Sequence, residues 1–131
     1  MSGEKCIEQN EFVDKIKNVR DISEFSKLVE QLLRSVGVKA VSLESSAPDG
    51  SFSYRKFEFL DKSVKYVQYI KNDIVGRYIH EEEVEGLSEL YLVWSTLYQL
   101  LKCYTRKCYN KNIKTVAERL FGPEPDTIYC Y

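Results

Sequence analysis

Residues 88–109, "SELYLVWSTLYQLLKCYTRKCY", decide the predicted fold because they contain the longest apolar segment of the sequence. Their apolar side chains recur at helical spacing and predict one long helix with an apolar stripe about 160° wide, broader than on a typical surface helix. Such a helix is either the centre of its domain or part of an interface, and interfaces favour Tyr and Trp. We therefore expect part of its surface to contact a protein partner. The expected anchors are Tyr91, Trp94, Tyr98 and Leu101.

Other segments carry helical signals of their own. Asp21 and Glu24 form a capping-box pair before a run of apolar residues at helical spacing, and Gly37 is suited to end that helix. The predicted helices span residues 11–19, 22–36, 62–79, 88–109 and 113–121.

Residues 38–60 change to a period of two on either side of the turn Ala47-Pro48-Asp49-Gly50. This pattern predicts a β-hairpin in which Val41 lies opposite Phe57. The predicted fold is mainly α, with four to five helices packed around the 88–109 helix and an inserted hairpin at about 38–60. We expect one domain over residues 1–131, with a frayed N-terminus at 1–9 and an extended tail at 123–131.

Composition limits the function. The 131 residues are 44% hydrophobic and 30% charged, and the net charge of −1 gives no general attraction to nucleic acid or an anionic membrane. The N-terminus, "MSGEKCIEQNEF", lacks the apolar run of a signal peptide. Glu89, Gln99 and Lys102 interrupt the longest apolar region, which argues against a membrane span. We expect a cytoplasmic protein with no membrane partner.

The four cysteines have no metal-site or redox-motif spacing. In a cytoplasmic protein they are expected to be reduced thiols. Cys103 and Cys108 are five residues apart, which on a helix is a rotation of about 140°, so they do not fit one zinc ion. Cys108 is expected to be a small buried hydrophobe. Cys103 lies off the apolar stripe, and a disulfide with Cys130 stays open as an alternative in a thermophile. No metal or cofactor is predicted.

The end of the long helix is rich in basic residues, and two interpretations are open. Interleaved with tyrosines, these side chains have the composition of a surface that grips a phosphate backbone and stacks bases. Glutamates precede the helix at residues 81–85, however, and acids at a helix start with bases at its end are what the helix dipole favours. The candidate nucleic-acid contacts are Lys102, Arg106, Lys107, Lys111 and Lys114.

The sequence contains no catalytic motif. It has no nucleophile elbow, no phosphate-binding glycine loop and no Cys–His pair in a recognisable context, and the one histidine, His80, is followed by glutamates. We therefore predict a protein that is not an enzyme and has no evident small-molecule substrate. The predicted function is a non-catalytic interaction module, either a homodimer or a small subunit of a larger assembly. The alternative is a nucleic-acid-binding accessory subunit.

Helices followed by a small β element, then "KSVKYVQYIKNDIVGRYI" (62–79) and "SELYLVWSTLYQLLKCY" (88–104), resemble the small helical subunits of archaeal CRISPR interference complexes. The resemblance is one of architecture over residues 20–121. It implies a non-catalytic subunit that lines the nucleic-acid path of an RNA-guided assembly, and it assigns no site residue. A chain rich in lysine and tyrosine with few glutamines is also similar to proteins of archaeal viruses.

Overall fold

The computed structural model describes residues 6–108 and 127–131. In this part of the chain, helices pack on one side of a single antiparallel sheet with the strand order β4-β3-β2-β1-β5. The helices are α1 (Gln9–Lys17), α2 (Ile22–Ser35) and α3 (Trp94–Lys107), with a short 3-10 helix at Leu87–Leu90. The strands are β1 (Ala40–Ser46), β2 (Phe52–Phe59), β3 (Val64–Asn72), β4 (Gly76–Val84) and β5 (Thr127–Cys130).

Helix α2 begins and ends as its sequence predicts. The Asp21 carboxylate accepts a hydrogen bond from the Glu24 backbone N–H at 2.8 Å, and the Glu24 side chain accepts one from the Arg20 N–H at 2.9 Å. These bonds satisfy donors that a helix start leaves free. Beyond the C-terminus, Gly37 has φ +79°, a left-handed conformation that glycine adopts without strain.

The predicted hairpin is present, but it forms the middle of the sheet. β1 pairs with β2 in the predicted register, with Val41 opposite Phe57. Because side chains alternate between the two faces of a strand, Val41, Leu43, Phe57 and Phe59 share the face that packs against the helices. The core also includes side chains from α1, α2, α3 and β5: Phe12, Phe25, Val29, Leu33, Leu97, Leu100, Leu101, Tyr104 and Ile128.

The prediction of a mainly α fold is wrong. Residues 62–79, predicted to be one helix, lie in β3 and in β4, joined by a turn. The Asn72 side chain accepts hydrogen bonds from the Ile74 and Val75 backbone N–H groups, and Gly76 has φ +69°. Apolar residues lie on both faces of β3, so the alternation expected of a strand is hidden and a helical period also fits.

The predicted long helix at 88–109 is shorter than expected. Its first residues belong to the 3-10 helix, and α3 begins only at Trp94. The two helices are separated because Tyr91 adopts a left-handed conformation (φ 54°, ψ 44°) and Val93 is extended. α3 is therefore one of three α-helices that the described residues form beside the sheet, and not the centre of a helical bundle.

All four cysteines form disulfides, Cys6 with Cys108 and Cys103 with Cys130. The expectation of reduced thiols is therefore wrong, and the Cys103–Cys130 alternative is what the structure contains. The spacing that separates Cys103 from Cys108 lets one thiol reach the N-terminal segment and the other reach β5. β5 lies within the predicted extended tail, whereas the predicted helix at 113–121 lies outside the described residues.

Candidate interaction surface

The link between the 3-10 helix and α3 exposes three apolar side chains. We call Tyr91, Val93 and Trp94 the aromatic corner. Leu92, between them, is buried in the core, so its neighbours in the extended link turn outward. Tyr91 is 91% exposed, Val93 59% and Trp94 40%. Tyr91 is the only non-glycine residue with positive φ in the described part of the chain.

Trp94 is held in place by aromatic contacts with the core. Its ring stacks on Phe25 of α2 with the centroids 5.3 Å apart, and Phe25 is itself buried. Tyr98, one turn along α3, makes an edge contact with Phe25 at 5.0 Å. Aromatic pairs in these arrangements are favourable beyond the area that they bury. The corner therefore presents an anchored indole face together with the unsupported Tyr91 side chain.

An open, polar groove of about 790 Å³ lies beside Tyr91, between α2 and the start of the 3-10 helix. Its floor contains the Arg34–Glu30 ion pair, with Nε and Oε2 3.0 Å apart. The other Glu30 oxygen accepts a hydrogen bond from the Leu87 N–H at 2.7 Å. A Cβ at Gly86 would lie 2.8 Å from that oxygen, so the glycine allows this close approach. Apolar anchors beside a polar groove have the arrangement of an interface core and its rim.

The four predicted partner-binding residues do not share one surface. Tyr91 and Trp94 are exposed at the corner, Tyr98 is partly buried, and Leu101 is fully buried in the core. Sequence reasoning missed Val93, whose exposure depends on the break before α3. Side chains alternate in direction along an extended segment, so Val93 lies on the same side as Tyr91 when Leu92 between them is buried. The spacing of Tyr91 and Val93 is the signal that could have identified this link.

The predicted basic residues also occupy different environments. Lys102 is only 7% exposed, in the middle of α3. Arg106 donates a hydrogen bond to the Ile128 carbonyl at 2.6 Å and so fastens β5 to the helix. Lys107 is exposed at the helix end. Lys111 and Lys114 lie outside the described residues, so the structure does not bring the five predicted contacts together on one described face.

Polar side chains also lie on the helix-facing side of the sheet, next to α3. Arg55 donates a hydrogen bond to the Thr96 hydroxyl at 3.1 Å. Burial raises the pKa of the nearby Tyr66 hydroxyl above 10.0, and the charge of Arg55 opposes that rise. His80 contacts Glu82 with Nε2 and Oε2 2.5 Å apart, and both side chains are exposed. The Arg55 bond joins β2 to α3, and the His80–Glu82 contact lies within β4.

No family model, curated protein or solved structure matches this chain. The resemblance to CRISPR subunits stays a prediction, and one of its two quoted segments, 62–79, forms strands and not a helix. No group of three or more metal-ligating side chains occurs among the residues that the structure describes. In the same residues, no helix has the length and apolarity needed to cross a bilayer.

Proposed function

We propose that this protein is a non-catalytic binding module that docks a protein partner on the aromatic corner. The observation that carries the proposal is Tyr91. A left-handed conformation costs a non-glycine residue roughly 1–2 kcal/mol, and the 91% exposed side chain gains little packing in return. An unfavourable conformation that presents an exposed aromatic side chain is a feature of functional sites.

The neighbouring residues favour a protein partner. Trp94 is already fixed against Phe25, so binding would order few further rotatable bonds on this side. Trp and Tyr are the residue types that most often dominate the free energy of protein interfaces. The polar groove beside Tyr91 contains both a cation and an anion, Arg34 and Glu30, which suits the mixed polar rim of an interface.

The test is capture from an extract of the native host on three forms of the full chain, followed by mass spectrometry. Tyr91→Asn removes the aromatic ring and keeps a residue that tolerates the left-handed conformation. Tyr129→Asn is the matched control, because Tyr129 is also exposed but lies in β5 at ordinary φ. We expect a protein that the native chain and Tyr129→Asn retain and that Tyr91→Asn loses. Equal retention on all three forms would contradict the proposal.

The cytoplasm stays the proposed location, restricted to a cell that preserves protein disulfides, as hyperthermophilic archaea and bacteria do. The two disulfides support this restriction, because a mesophilic cytosol keeps thiols reduced. Fractionation of the host, with thiol alkylation before lysis, tests it. Alkylated Cys103 or Cys6 in the cytoplasmic fraction would contradict the disulfides, and recovery only outside the cytoplasm would contradict the location.

Nucleic-acid binding is the second candidate. The observation that favours it is that Arg106 and Lys107 are exposed side by side at the end of α3. Filter binding of single-stranded RNA and duplex DNA at two salt concentrations tests it, because phosphate contacts release counterions and weaken as salt rises. The variant to test is Lys107→Gln, because a change at Arg106 would also remove its hydrogen bond to β5. Binding that is absent, or independent of salt, would reject this candidate.

A further inference from the structure

Strand β4 (Gly76–Val84) is the outermost strand of the described sheet on one side. Its inner edge pairs with β3 along its whole length. In the described part of the chain, no backbone hydrogen bond from outside the sheet reaches it. An edge strand of nine residues carries a row of backbone groups that can pair with another strand.

This edge also carries exposed apolar side chains. Ile74 is 93% exposed and Val75 55%, both in the turn that leads into β4, while Tyr78 is 47% and Ile79 66% exposed. The turn itself is formed by the Asn72 side chain and Gly76, so neither Ile74 nor Val75 is needed for its shape. Four exposed apolar residues along one open edge favour an interaction at that edge.

Two of the charges along β4, Arg77 and Glu81, have no oppositely charged neighbour in the described part of the chain. On the face turned away from the helices, Arg77 lies opposite Lys71, a like charge, and Glu81 lies opposite Val67. Neither Arg77 nor Glu81 forms an ion pair in the described part of the chain. Like charges directly opposite each other weaken a strand pair. Arg77 and Glu81 are placed symmetrically on either side of Ile79.

We propose that a second copy of this chain pairs with β4, antiparallel and centred on Ile79, and joins the two sheets into one. In this register Ile79 lies opposite Ile79 of the second copy, on the twofold axis. Arg77 lies opposite Glu81 of the second copy, and the same pair repeats on the other side of the axis. Tyr78 lies opposite His80 of the second copy on the helix-facing side. Three of the four distinct cross-strand pairs within β4 are apolar, oppositely charged or aromatic, the kinds that stabilise neighbouring strands. The fourth places Gly76 opposite Glu82 and so sets no side chain against that charge.

The neighbouring register is less favourable. A pairing centred on His80 would place Arg77 opposite Glu83, but Glu83 already lies opposite Lys65 in its own sheet. It would also place Ile79 opposite Glu81, an apolar residue against a charge. Parallel pairing in register would place each charge opposite its own copy. A pairing centred on Tyr78 would place Arg77 opposite Ile79, again a charge against an apolar residue. Of these registers, only the antiparallel one centred on Ile79 pairs Arg77 with Glu81, the two charges that lack an opposite charge in their own sheet.

Sedimentation of the full chain at two salt concentrations, together with three charge variants, tests this pairing. We expect the native chain to form a dimer as its concentration is raised to roughly 1 mM. Arg77→Glu alone and Glu81→Arg alone each place like charges opposite each other twice, and each is expected to weaken the dimer about tenfold. The combined variant Arg77→Glu/Glu81→Arg restores both pairs and should recover the native affinity. Hydrogen exchange should show β4 amides that become protected as protein concentration rises.

Two controls separate the possible failures. Arg77→Glu/Glu83→Arg should not restore the dimer, since those residues are opposite each other only in the register centred on His80. Tyr91→Asn should dimerise like the native chain, so loss of the partner in the capture experiment and loss of the dimer are distinguishable. A monomer at every concentration, a dimer unchanged by the single charge reversals, or rescue by the Glu83 variant would each overturn the proposal.

Discussion

At the scale of single residues, a substitution at Tyr91 is expected to change stability and partner binding in opposite directions. Its left-handed backbone is unfavourable for tyrosine and tolerated by asparagine, and its exposed side chain contributes little packing. We predict that Tyr91→Asn raises the free energy of unfolding by about 0.5–1 kcal/mol while it removes the proposed anchor. Denaturant unfolding of the native chain and the variant measures this difference.

Tyr129→Asn is again the control, because it removes an exposed tyrosine from a strand at ordinary φ. Asparagine has a low strand propensity, so this variant is expected to be slightly less stable than the native chain. A similar loss of stability in both variants would show that the backbone of Tyr91 is not a source of strain.

Tyr104 predicts how stability depends on alkaline pH. Burial raises the pKa of its hydroxyl above the ordinary 10.0, and the bond that this oxygen accepts from the Ile7 N–H acts in the opposite direction. The folded chain therefore keeps its proton at a pH where the unfolded chain has released it. Stability should be unaffected by this group below about pH 10 and should fall as the pH rises further. Urea unfolding between pH 8 and 11 is the measurement, with pH values set around the ordinary tyrosine pKa.

Tyr104→Phe removes one titrating group from this balance. The variant should be less stable at neutral pH, because the Ile7 N–H loses its acceptor, but its stability should fall less steeply above pH 10. Tyr54 and Tyr66, whose pKa values burial also raises, keep part of the slope. An unchanged slope in Tyr104→Phe would contradict the assignment of this effect to Tyr104.

At the scale of elements, Arg34 joins α2 to the sheet. Its guanidinium donates to the Leu60 carbonyl at 2.6 Å and to the Ser63 carbonyl at 3.0 Å, in the turn between β2 and β3, and pairs with Glu30. Lysine cannot reach these three acceptors in one geometry. We predict that Arg34→Lys lowers the free energy of unfolding by about 1–2 kcal/mol. Arg20→Lys, at an exposed site, should stay within about 0.5 kcal/mol of the native chain, and equal effects would contradict the role of Arg34.

The elements also show what the sequence can and cannot predict. Helix α2 and the β1–β2 hairpin have strong local signals, the Asp21 cap and the proline–glycine turn, and both were predicted correctly. β3 and β4 were not, because apolar residues on both faces of β3 produced an apparent helical period and the Asn72–Gly76 turn contains no proline. Pairing of β3 with β2 and of β4 with β3 decides their structure, and these contacts between strands are not encoded in either segment alone.

The same distinction applies to the candidate site. Tyr91, Trp94 and Leu101 were predicted as anchors because they lie on one wide apolar stripe, but at Leu101 that stripe packs into the core. The break after Leu90 has no proline or glycine to announce it, and it decides which aromatic side chains reach the surface. The open edge of β4 could not be predicted while that segment was assigned to a helix.

At the scale of the whole molecule, the disulfides close the fold at both ends of the chain. The Cys6–Cys108 bond ties the N-terminal segment to the end of α3, and Cys103–Cys130 ties β5 to the same helix. β5 pairs with β1 over four residues only, so its position also depends on the disulfide and on the Arg106 bond to Ile128. α3 therefore holds both ends of the described chain against the core.

The two disulfides should stabilise the protein unequally, because they close loops of different length. Their sequence separations are 102 residues for Cys6–Cys108 and 27 for Cys103–Cys130. In the chain-entropy account, such loops correspond to about 4.7 and about 3.6 kcal/mol of stabilisation through the unfolded state. We predict that the paired variant Cys6→Ser/Cys108→Ser loses about 1 kcal/mol more than Cys103→Ser/Cys130→Ser, as measured by denaturant unfolding without reductant. The opposite order would mean that anchoring β5 in the folded sheet outweighs restriction of the unfolded chain. Hydrogen exchange of the amides in β5 and β1 distinguishes the two accounts. Loss of anchoring exposes those amides while the rest of the sheet stays protected, whereas an effect on the unfolded chain does not.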